Sequence, residues 1–214
     1  LLFSKKIDVL MHTSYNTYFI FFNKKPYFIV VHDMINELHP NLFSKFNSIV
    51  YQKKRTILNA TSIVAISEKT KKDLLNIYPN INPNKIKVIH HGINLDFRKS
   101  ILDIKLDFEY LLFVGFRSLY KNFISFVQNL APILKTDLKL ICIGGGEFSF
   151  EEKKLFESLK IEDFIIQISV SDEELTFYYQ NSLGFFFPSK YEGFGLPILE
   201  AFKNNCPCVL NEIE

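Results

Sequence analysis

Short apolar runs rich in Val, Ile, Leu and Phe alternate along this chain with stretches of helical period. Such alternation confines a chain to α/β architectures, in which strands pair in parallel and helices cover the sheet. In the first half, residues 7–11, 27–31, 62–66 and 87–90 predict strands, and 47–59 a helix. The run 27–31 is apolar throughout and suits burial on both faces. Ser67 reads as the N-cap of a second helix that runs through 71–78 and stops at Pro79. The layout recurs in the second half. Strands are predicted at 110–114, 138–143, 164–168, 183–187 and 208–210, and helices at 122–134, 151–159, from Ser171, and at 197–204. Ser171-Asp172-Glu173-Glu174 has the form of a capping box. Residues 94–107 are charged and aperiodic, as expected of an interdomain connection. The expected organisation is a domain at 1–97, a linker at 98–108 and a second domain at 109–214.

Composition narrows the function. Hydrophobic residues make up 48% and charged residues 22% of the 214, enough for a real core. The net charge of +2 is too near balance to point to nucleic acid. Three cysteines without framework spacing suit a reducing cytosol, and Cys206-Pro207-Cys208 lacks the histidine partners of a zinc site. Buried free thiols are the expectation for all three. No signal peptide and no run long enough to span a bilayer is visible. The basic groups Lys53-Lys54-Arg55 and Lys69, Lys71, Lys72 read first as solvated helix faces, and second as a contact for an anionic membrane surface.

Chemistry concentrates in Pro188-Ser189-Lys190-Tyr191-Glu192-Gly193-Phe194-Gly195-Leu196-Pro197-Ile198-Leu199-Glu200-Ala201. A strand ends, two glycines let backbone approach a ligand, and a helix opens with Pro197 at its first position. A helix start offers unpaired N–H groups and a partial positive charge to a phosphate or sugar. Glu192 and Glu200 flank the loop, and carboxylates bind vicinal sugar hydroxyls well. In Val114-Gly115-Phe116-Arg117-Ser118-Leu119-Tyr120-Lys121-Asn122, Arg117 and Lys121 occupy a strand-to-helix turn. Two cations there suit a diphosphate, Arg117 as a fork and Lys121, expected exposed in the loop, as a point charge. Gly144-Gly145-Gly146 lacks the GxGxxG spacing and the acidic partner of a dinucleotide site, and reads as a turn. His32 follows a strand, where a lone histidine serves either the core or a site. His90-His91 has no carboxylate or thiol companions for a metal and reads as structural.

The Glu192-to-Glu200 string resembles the E-x7-E motif of glycosyltransferase family 4, also called group 1, and residues 110–123 resemble its diphosphate-binding segment. His12-x-x-Tyr15, Val31-His32-Asp33, Ile66-Ser67-Glu68 and His91-Gly92-Ile93-Asn94 are similar to further family landmarks. The resemblance implies a GT-B fold, two Rossmann-like domains facing across a cleft. It also implies that both domains are incomplete here, with family segments upstream of Leu1 and beyond Glu214. It implies a retaining, metal-independent glycosyltransferase with no cofactor. The donor would be a nucleoside-diphosphate sugar such as GDP-mannose, and the acceptor a saccharide or lipid-linked saccharide, as in cell-surface polysaccharide synthesis.

By the same resemblance Glu200 holds the nucleotide ribose, and Glu192 faces the transferred sugar. The backbone of Phe194, Gly195 and Leu196 contacts sugar and diphosphate, Arg117 and Lys121 meet the diphosphate, and His32 meets the sugar from the acceptor side. The base is expected near 169–172. A cytoplasmic location, with peripheral contact at the inner membrane face, fits such an enzyme. The rival readings are a non-catalytic nucleotide-sugar-binding remnant and a GT-B sugar-nucleotide epimerase, the latter opposed by GFGLPILE.

Overall fold

A computed structural model describes residues 8–21, 25–43, 48–93, 102, 104–117 and 119–212. The chain divides into two units, Leu1–Gly92 with Glu192–Phe194, and Ile93–Tyr191 with Gly195–Glu214. Residue 7, residue 47 and much of the expected linker 98–108 lie outside the described residues.

The first unit holds a four-stranded parallel sheet in the order β1-β2-β3-β4, formed by β1 (Leu10–His12), β2 (Tyr27–Val31), β3 (Ser62–Ala65) and β4 (Ile86–Val88). A short helix α1 (Ile35–Leu38), α2 (Ile49–Asn59) and α3 (Glu68–Ile77) complete it. Tyr27, Ile29 and Val31 of β2 and Ile63 and Ala65 of β3 enter one core with Ile57 of α2 and Leu74 of α3. The alternate residues Phe28 and Val30 are only half-buried. The expectation that β2 is buried on both faces is therefore corrected: apolar content gave no information about period, and the second face is not filled among the described residues. Ser67 caps α3 as predicted, its Oγ accepting from the Thr70 N–H at 2.9 Å.

The second unit is a five-stranded parallel sheet in the order β7-β6-β5-β8-β9. Its elements in chain order are β5 (Glu109–Val114), α4 (Phe123–Leu130), β6 (Leu138–Ile143), α5 (Phe150–Leu159), β7 (Ile165–Ile168), α6 (Asp172–Asn181), β8 (Gly184–Phe187), α7 (Leu196–Lys203) and β9 (Cys208–Leu210). Its strands obey the period of two on both faces. Leu111, Phe113, Leu140 and Cys142 pack with Phe123, Phe126 and Val127 of α4 and Phe156 of α5. Tyr110, Leu112, Ile141 and Ile143 pack on the opposite face with Phe177 and Tyr179 of α6 and Ala201 of α7. Helices thus cover both sides, as a doubly wound sheet requires.

Several helix boundaries shift by one or two residues from the sequence reading, and two departures involve a proline. The helix predicted over 122–134 ends at Leu130, and a 3-10 turn takes Ala131–Ile133. Pro132 has no N–H to donate to the preceding turn, so the α-helical ladder stops there although Ala131 keeps helical backbone at φ −45° and ψ −41°. At α7 the helix begins at Leu196, so Pro197 is its second residue. Cys142 and Cys206 are buried free thiols and Cys208 is half-buried. No helix among the described residues is long and apolar enough to cross a membrane.

Leu140 of β6 is fully buried, whereas Ile133 is 53% exposed. Leu140→Ala is expected to lower unfolding free energy by about 2–5 kcal/mol through lost contacts and a cavity. Ile133→Ala should change it by less than about 0.5 kcal/mol. Chemical denaturation of the two variants checks the core assignment, and equal effects would refute it.

Candidate functional site

Order β7-β6-β5-β8-β9 means that the chain builds outward from β5 in one direction and then returns to its other side. The carboxyl ends of β5 and β8 therefore form a topological switch point, where open α/β sheets receive ligands. Both motif-bearing loops leave the sheet here, one between β5 and α4 and the other between β8 and α7.

A backbone bond ties these loops together: Lys190 N–H donates to Tyr120 O at 2.8 Å. Lys121 closes a 3-10 turn, Leu119–Lys121, and its Nζ stands 5.3 Å from the ring centre of Phe187, the last residue of β8. It is half-buried over aromatic rings, which corrects the expectation of an exposed loop lysine. Leu119 and Asn122 bracket it with positive φ of 52° and 57°. Left-handed non-glycine residues cost about 1–3 kcal/mol each and persist where surrounding structure holds them.

Gly195 is the N-cap of α7 at φ +88°, a conformation that side chains rarely adopt. A Cβ there would meet Ile198 Cδ1 at 3.0 Å and Phe187 Cε1 at 3.9 Å. Lys121 and the start of α7 thus converge on the same ring. Pro197 has no N–H and the Ile198 N–H donates to Gly195 O at 3.0 Å, so Leu196 is the helix-start amide at the switch point. Glu200 lies one turn further along α7. Its Oε2 accepts from the hydroxyl of Tyr179 at 3.2 Å. Tyr179 is 1% exposed, and burial and the nearby carboxylate both raise its pKa, so its hydroxyl remains a donor.

Arg117 behaves differently from the expected diphosphate fork. It is buried, and its Nε donates to Glu152 Oε1 at 2.8 Å. Its Nη1 donates to Gly144 O at 2.9 Å, and Nη2 donates to Gly146 O and Glu147 O at 2.8 and 2.9 Å. The guanidinium also lies 4.7 Å from the ring centre of Phe148. This geometry makes Arg117 the organiser of the glycine turn after β6. Gly145 explains the close fit: at φ +73° a Cβ would lie 2.8 Å from Arg117 Nη1. Glu152 serves twice, since its Oε2 accepts from Ser149 N–H at 2.7 Å in a capping box for α5. Sequence reasoning missed that box, although Ser149-x-x-Glu152 carries its signature.

In the first unit, His32 leaves β2 half-buried. Its ring stacks on His91 at 5.5 Å and 13°. Burial first, and then the neighbouring His91, hold its pKa below the ordinary 6.5, so the imidazole is neutral at pH 7. Glu192 and Phe194 belong to this unit, with Phe194 5.7 Å from the rings of both His90 and His91. A Cβ on Gly193 would collide with the carbonyl oxygen of His32, so the 192–194 segment needs glycine there. His90 Nδ1 is 3.2 Å from Ile66 O. No group of three His, Cys, Asp or Glu that could hold a metal occurs among the described residues.

The expected residues therefore fall into two sets, His32, Glu192 and Phe194 in the first unit and Arg117, Lys121, Gly195, Leu196 and Glu200 in the second. Sequence reasoning did not find Tyr179, and the spacing of α6 carries no signal for it. It also misread Lys53. That residue is 1% exposed, not part of a solvated face, because it lies on the core side of α2 opposite two carboxylates.

The chain matches the family described as Glycosyl transferases group 1 over residues 96–214, and Glycosyltransferase Family 4 over residues 1–97. It belongs to the group 1 glycosyl transferases.

Among curated relatives, it is 25% identical to the O-antigen chain mannosyltransferase RfbU of Salmonella typhimurium, over 86% of this chain and 52% of that protein. It is 28% identical to the N-acetylgalactosamine-N,N'-diacetylbacillosaminyl-diphospho-undecaprenol 4-alpha-N-acetylgalactosaminyltransferase of Campylobacter jejuni, over 92% of this chain and 58% of that one. The chain thus spans about half the length of these relatives. Among solved structures it is similar to HepE of Anabaena in complex with UDP and glucose (TM-score 0.75, 16% identity, 96% of this chain, 59% of that one). It is also similar to sucrose-phosphate synthase of Thermosynechococcus elongatus (TM-score 0.76, 18% identity, 96% and 56%). At such identities the likeness shows the fold, the α/β class of the GT-B glycosyltransferases.

Arg117→Met should lower unfolding free energy by about 3–5 kcal/mol, because it leaves Glu152 and three carbonyls without their donor. Urea denaturation measures this, and a loss under about 1 kcal/mol would remove Arg117 from its structural role.

Proposed function

We propose that this chain supplies donor-binding machinery to an enzyme that transfers a sugar from a nucleoside-diphosphate sugar to a saccharide or lipid-linked saccharide acceptor. The observation that carries the reading is the convergence of Lys121 and the start of α7 at the β5–β8 switch point. A departing nucleoside diphosphate gains negative charge as the glycosidic bond breaks. A lysine ammonium and a helix-start amide stabilise charge where it develops. Lys121 is the cation for this task, because Arg117 is committed to Glu152 and the glycine turn.

Glu200 binds the ribose hydroxyls, and Tyr179 holds its carboxylate in one orientation. Glu192 faces the transferred sugar, and the backbone at Phe194, Gly195 and Leu196 contacts sugar and diphosphate. His32 meets the sugar as a neutral imidazole. Mannose is the favoured sugar, since RfbU is named a mannosyltransferase, as is an Escherichia coli relative 33% identical over 110 residues. The undecaprenol-linked acceptor in the name of the Campylobacter relative supports a lipid-linked acceptor and a role in surface polysaccharide synthesis. Retention of anomeric configuration and peripheral contact with the inner membrane complete the reading.

The test uses the protein that carries this chain, titrated calorimetrically with GDP-mannose and assayed with labelled donor. Binding with transfer of label to a saccharide is expected. Binding without transfer would favour a binding module, and an epimerised free sugar nucleotide would favour an epimerase. Lys121→Ala should lower turnover by about tenfold or more, the value of a charge-assisted hydrogen bond of roughly 1.5–3 kcal/mol. Unaltered turnover would exclude Lys121 from the diphosphate. Tyr179→Phe should weaken nucleotide binding about two- to tenfold by releasing Glu200, and calorimetry showing unchanged affinity would contradict that tether.

A further inference from the structure

Lys53 stands in the middle of α2 with 1% of its surface exposed. Its Nζ lies 3.1 Å from Glu37 Oε2 and 3.4 Å from Asp33 Oδ1, and 5.1 Å from the ring centre of Tyr15. The Glu37 side chain is buried with Lys53, whereas that of Asp33 is 38% exposed. Burying an ammonium with a carboxylate is costly, and apolar residues of similar volume stabilise a fold as well or better. The cluster is also imperfect as a stabilising device. Glu37 Oε1 and the Tyr78 hydroxyl are buried without a hydrogen-bond partner among the described residues. Stability alone therefore does not account for it.

Its partners do. Asp33 follows His32 in the chain, and its Oδ1 also accepts from Ile35 N–H at 3.1 Å, pinning the start of α1. Glu37 is on α1 itself. The Tyr15 hydroxyl accepts from the backbone N–H of His32 at 3.3 Å. Both backbone flanks of His32 are thus tied to one buried ammonium, and the ring itself is held by stacking on His91 and by a hydrogen bond with the Thr13 backbone.

We propose that Lys53 is a positioning residue, whose buried ammonium grips Asp33, Glu37 and the Tyr15 ring and so sets where the His32 imidazole points. Its catalytic consequence rests on the reading of His32 as a residue that meets the sugar. The positioning itself does not, so the two can be tested apart. The ionisable groups that face His32 are His91, Asp33 and Lys53, of which His91 and Lys53 lower its pKa and Asp33 raises it.

The experiment compares Lys53→Met and the double variant Lys53→Met/Glu37→Gln in the protein that carries this chain. The double variant removes the ammonium and its buried partner charge together, so the fold is not left with an unpaired carboxylate at Glu37. NMR follows the His32 ring resonance with pH, assigned by its loss in His32→Gln. In both variants the resonance should move and its titration midpoint should rise. Turnover should fall roughly tenfold to a hundredfold, the scale of a small misplacement, with donor KM changed less than about twofold. A folded variant whose His32 resonance and midpoint match the parent's overturns the proposal, as does loss of folding in both, which would make Lys53 structural. A moved resonance with unaltered turnover refutes the catalytic consequence. A moved resonance in a protein that shows no transfer even unsubstituted confirms the positioning and refutes the reading of His32.

Discussion

Parallel pairing of β5 with β8, Leu111 opposite Gly184 and Leu112 opposite Phe185, is the constraint on which the second unit's site depends. Without it the sheet would have no reversal, and the loops after β5 and β8 would open at separate edges. With it they leave the sheet side by side, and the bond from Lys190 to Tyr120 fixes their spacing. Phe187 then acts as a floor, with Lys121 above the ring and Gly195 at its edge. The pairing is itself a product of packing, because β5 is buried on both faces and excludes water from the central ladder.

Arg117 and Lys121 show how two similar cations in one loop receive opposite tasks. A planar guanidinium with several fixed donors suits a turn that presents several carbonyls, and Arg117 meets three of them while also bonding Glu152. A lysine offers a compact charge on a flexible stem, and Lys121 rests on aromatic rings at the sheet edge. The first unit uses the opposite arrangement, a buried lysine with two carboxylates, Asp33 and Glu37. In each unit a buried ion pair stands behind a loop that bears candidate site residues.

Much of this was legible from residue order. β2, β6 and β9 fall where their apolar runs end, and Ser67 and Ser171 cap helices because each has an acceptor side chain ahead of a polar, helix-forming stretch. The E-x7-E string placed the loop before α7 correctly, since glycine and proline punctuate backbone strongly. What failed was direction. A sequence records that Lys53 and Arg117 are charged, but only tertiary packing decides that both point inward. α1 was missed because four residues carry no period, and α4 was drawn through Pro132 because its apolar spacing continues past the residue that stops it. Tyr179 was invisible because its role depends on α6 lying beside α7.

The most direct test is a crystal structure of the protein that carries this chain with a nucleoside diphosphate bound. Diphosphate oxygens should lie within hydrogen-bond distance of Lys121 Nζ and of the backbone N–H of Leu196, with Arg117 still bonded to Glu152. A diphosphate held by Arg117, or bound away from the β5–β8 edge, would contradict the account.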